Sequence, residues 1–88
     1  MFCNLARYFP LNTFWGIIKQ IELLNGEIRK DKDFINNLIA KTEFGFVLIQ
    51  ALPPNEERGE GARINIYFYD PNDRDLKKDF NAGEEYQY

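Results

Sequence analysis

Residues 44–52, FGFVLIQAL, constrain this chain more than any other stretch. Read as a strand, they place Phe44, Phe46 and Leu48 on one face and Val47, Ile49 and Ala51 on the other. A strand with two apolar faces must be covered on both sides. Pro53 and Pro54 end it, because proline donates nothing to a ladder.

A second run, ARINIYFYD, alternates instead. Ile64, Ile66 and Phe68 share one face; Arg63, Asn65, Tyr67 and Tyr69 share the other. The charged, glycine-bearing loop PPNEERGEGA joins the two runs and reads as exposed and mobile surface. Strands this close in sequence pair most simply as an antiparallel hairpin. Phe46 and Leu48 are then expected to share a face with Ile64, Ile66 and Phe68.

The helices follow from spacing. Phe14, Ile17, Ile18, Ile21 and Leu24 lie three and four apart, which predicts a helix over about 13–25. Asn12 or Thr13 would cap its start, and Gly26 would end it in a left-handed conformation. Phe34, Ile35, Leu38 and Ile39 predict a second helix over about 32–41, capped by Asp31 or Asp33. Asp70-Pro71-Asn72-Asp73 reads as a turn leading into a short helix over about 73–80, pinned by Leu76 and Phe80. Residues 1–11 read as an arm and 81–88 as a polar tail. The expected core is Ile18, Ile21, Phe46, Leu48, Ile66 and Phe68.

The fold class expected is α+β: two or three helices packed on an antiparallel hairpin. A lone hairpin is marginal in water, so helices must cover it or a second chain must extend it by pairing along its edge. At 88 residues the chain is read as a single small domain, strands at about 44–52 and 62–70. Its eight Phe, five Tyr and one Trp offer much burial per residue, which helps so short a chain.

Several chemistries lack their residues. There is no histidine, which removes the commonest general base and the commonest zinc ligand. No phosphate-binding glycine loop occurs; RGEGAR has no helix behind it. Asp70, Asp73, Asp75 and Asp79 cluster, but Arg74, Lys77 and Lys78 interleave and the spacing does not fit a calcium loop. The expectation is therefore no cofactor, no metal and no enzymatic activity. The lone Cys3 suits a reducing compartment, and the absence of a leader-like start or a long apolar run points to a cytoplasmic protein outside membranes.

Charge is uneven. Residues 1–52 carry six basic and five acidic side chains; residues 53–88 carry five basic and nine acidic. The acidic half makes duplex nucleic acid a poor partner and a basic protein surface a natural one. Tyrosine suits a face that is apolar beneath and wet at its tip. Arg63, Asn65, Tyr67, Tyr69, Asp70, Asp73, Asp75 and Asp79 are thus the candidate contact residues for a larger, basic partner. By size and charge alone, the analogy is to inhibitors and immunity-type proteins, such as phage-encoded anti-defence inhibitors. The other readings are a structural or regulatory subunit of a homo-oligomer, and a protein that binds single-stranded nucleic acid or metal.

Overall fold

The computed structural model describes residues 7–86. A six-stranded antiparallel sheet carries one helix on each face, an α+β architecture. Its strands are β1 (Arg7–Pro10), β2 (Glu27–Lys30), β3 (Asn37–Thr42), β4 (Gly45–Leu52), β5 (Arg63–Tyr69) and β6 (Glu84–Glu85). They lie in the order β1-β5-β4-β3-β2-β6. The helices are α1 (Phe14–Leu23) and α2 (Arg74–Ala82), with single 3-10 turns at Leu11–Thr13 and Glu56–Arg58.

The doubly apolar strand β4 is covered on both sides, as its composition requires. Val47 and Ile49 look toward α1, whose Ile18 and Ile21 pack on Ile28, Ala40, Ile64 and Ile66. Phe46 and Leu48 look the other way, toward α2, where Leu76 and Phe80 close over Ile39 and Phe46. The Phe46 and Phe80 rings stand 5.9 Å apart.

The register overturns one expectation. Phe46 lies opposite Tyr69 and Leu48 opposite Tyr67, so these residues share the tyrosine face. Ile64, Ile66 and Phe68 face α1 with Val47 and Ile49 instead. Because side chains alternate with period two, a one-residue offset swaps every partner. Phe68 accordingly leaves the expected core: it is 46% exposed and lines an open groove beside Ile17 and Ile21 of α1. Leu48 is only half-buried, while Ile18, Ile21, Phe46 and Ile66 are buried as expected.

The helix expected over 32–41 is not formed. Residues 37–42 are β3, and residues 31–36 make a loop. Leu38 and Ile39 point to opposite sheet faces, a two-sided strand whose apolar neighbours mimic a helical stripe. Asp31 caps no helix; its carboxylate accepts the Asp33 N–H at 2.9 Å, an Asx turn. Phe34 and Ile35 sit in that loop, Ile35 being 96% exposed.

The hairpin of β4 and β5 is extended on both sides by strands of its own chain. β1 takes the free edge of β5 and β3 that of β4, so both hairpin edges are occupied within the chain. Residues 7–10 of the expected arm are strand β1, and the expected tail contributes β6 against β2. The outer strands are short, and β1 ends on Pro10, which blunts the sheet's own edges. Among the described residues, no helix is long and apolar enough to cross a membrane.

Helix ends follow local chemistry. Thr13 occupies the N-cap of α1 but makes no side-chain cap; its hydroxyl donates to the Pro10 carbonyl at 2.7 Å. At the C-terminal end the left-handed residue is Asn25, not Gly26. Gly26 matters for space, since a Cβ there would press into the Ile21 side chain. Asp73 caps α2 by accepting the Leu76 N–H at 3.0 Å. Arg29 holds the other end: its guanidinium donates to the Phe80 carbonyl at 3.1 Å and lies 4.3 Å over the Phe80 ring. The loop joining β4 to β5 is exposed but not featureless. Asn55 and Glu60 exchange backbone hydrogen bonds of 2.8 and 2.9 Å around the 3-10 turn.

Candidate functional site

β5 sets the candidate site. Its alternation aligns Arg63, Asn65, Tyr67 and Tyr69 along one strip, and β4 adds Leu48 and Gln50 beside them. α2 covers only part of this face. Tyr69 packs with Leu48 against the Phe46–Phe80 cluster, which leaves it half-buried. Tyr67 stands further along the strand, with its ring 6.5 Å from that of Tyr69. The sequence offered two settings for these tyrosines, contact surface or ground beneath a helix. Tyr69 abuts the helix-covered cluster, and both rings keep part of their surface open.

Asn65 is the least exposed residue of the strip, at 3%. Its amide donates to the Tyr67 hydroxyl at 2.7 Å and reaches Gln50 Oε1 at 3.5 Å. A buried amide tied to the phenol fixes where the Tyr67 hydroxyl sits. Among the described residues, the buried Asn65 Oδ1 and Arg63 Nε atoms meet no hydrogen-bond partner. Arg63 pairs with Glu60 at 3.8 Å, so its charge is largely offset inside the strip.

The acids do not form one patch. Asp70 follows β5, and its carboxylate accepts the Asn72 N–H at 2.7 Å. Asp73 caps α2, and Asp75 stands exposed in the first turn. α2 then runs back across the sheet, because residues 84–85 must reach Lys30 and Arg29. This carries Asp79 toward the end that holds Asp31 and Asp33. Its pKa is raised, first by burial and then by the charges of Asp31, Asp33 and Asp75, with Lys78 opposing.

Of the eight sequence-chosen residues, Arg63, Asn65, Tyr67 and Tyr69 lie together, with Asp70, Asp73 and Asp75 beyond Tyr69. Asp79 stands apart. Leu48, Gln50, Glu60, Asp31 and Asp33 were missed. Leu48 and Gln50 depend on the strand register, which no local signal encodes. Asp31 and Asp33 were assigned to a helix that does not form. Among the described residues, no three carboxylates or thiols gather closely enough to hold a metal ion. Comparison with family models, curated proteins and solved structures finds no match.

Proposed function

We propose that this chain is a non-enzymatic protein-binding module that occupies and blocks a larger partner with a basic surface, in the manner of an inhibitor or immunity-type protein. One observation carries the reading: Tyr67 and Tyr69 form a half-covered aromatic strip that leads directly into Asp70, Asp73 and Asp75. Aromatic side chains that can be desolvated supply lasting contact, and adjoining acids steer a basic partner into place. The Asn65 amide supports this use, because it holds the Tyr67 hydroxyl in one position before any partner arrives. The acidic surroundings favour protein over nucleic acid as the ligand.

The test starts with affinity purification from the source cell and identification of the partner by mass spectrometry. Binding kinetics at two salt concentrations then separate the roles. Tyr67→Ala should speed dissociation, and Asp75→Asn should slow association with a weaker salt dependence. Asp75 is the cleaner probe, since Asp70 and Asp73 also hold the turn and the helix start. Glu57→Gln, at the far end of β5, should change little. Equal effects from Asp75 and Glu57, or none from Tyr67, would reject this surface.

A further inference from the structure

We draw no further inference here: the strongest candidate, the open groove that Ile17, Ile21 and Leu24 of α1 form with Val47, Ile66 and Phe68 of the sheet, is an unpartnered apolar face, and nothing in the structure shows what covers it.

Discussion

Phe46 and Phe68 provide a matched test of the sheet register, since both are large apolar residues of the central hairpin. An alternation argument alone buries them together on one face. In the structure Phe46 is 2% exposed beneath α2, whereas Phe68 is 46% exposed at the groove. Phe46→Ala removes a ring that is almost wholly buried and leaves a cavity against Phe80, Leu76 and Ile39, a loss of about 3–5 kcal/mol. Phe68→Ala removes a ring already half in water, and the space it leaves opens to solvent. Its loss should be about 1–2 kcal/mol, half the transfer term with no closed cavity. A chain of this size has total stability of roughly 4–13 kcal/mol. Each kcal/mol shifts the melting temperature by about 4–8 °C. Phe46→Ala should therefore lower it by at least ~12 °C or unfold the protein, against ~4–16 °C for Phe68→Ala, and Phe46→Ala must be the more damaging. Urea unfolding of both variants, followed by circular dichroism, measures the difference. Equal losses, or a larger loss for Phe68→Ala, would refute the register and with it the placing of the tyrosine strip.

Three further outcomes test separate parts of the fold. Asp73→Ala removes the side-chain cap of α2 and should cost about 1 kcal/mol, seen as a lower urea midpoint with an unchanged slope. Gly45→Ala puts a Cβ against the Tyr69 carbonyl at a φ of 141°. It should destabilise by more than the ~1 kcal/mol typical of a permissive glycine, and a neutral result would mean the turn is built differently. Asp79 has a raised pKa in the folded protein, so the native state holds that proton more tightly than the unfolded chain. Its contribution to stability is most favourable below the ordinary carboxylate pKa and falls as pH rises through the folded value. Asp79→Asn should remove this fall and make the variant relatively more stable at neutral pH than in acid; urea midpoints at pH 3, 5 and 7 check the sign.

Legibility followed how local each interaction is. The α1 stripe and the Asp73 cap with Leu76 and Phe80 depend on residues within one or two turns of each other, and the structure contains them near the expected positions. The two-sided covering of β4 was also readable, because no other arrangement hides both of its faces. The 31–42 segment failed because Leu38 and Ile39, buried from opposite sides of a sheet, satisfy a helical spacing equally well. β1 and β6 were invisible, since four residues and two residues gain strand form only from distant partners. At the site, the Arg63-to-Tyr69 strip came from simple alternation. Its neighbours Leu48 and Gln50 came from register, and the separation of Asp79 from Asp70 came from the direction in which α2 crosses the sheet.

The strand order also bears on how the sheet assembles and comes apart. β3, β4 and β5 form a meander of sequence neighbours, so their pairing closes short loops. The two outer strands join last in a topological sense: Arg7 must find Ile66, and Arg29 must find Glu85. Long closures are entropically costly, and few ladder bonds reward them here. The outer strands should therefore detach in excursions that leave the meander intact, and their amides should exchange hydrogen with solvent well before those of β4. When β1 lifts, the free edge of β5 is briefly bared, a transient opening through which a chain with blunted native edges could still be recruited into misassembly.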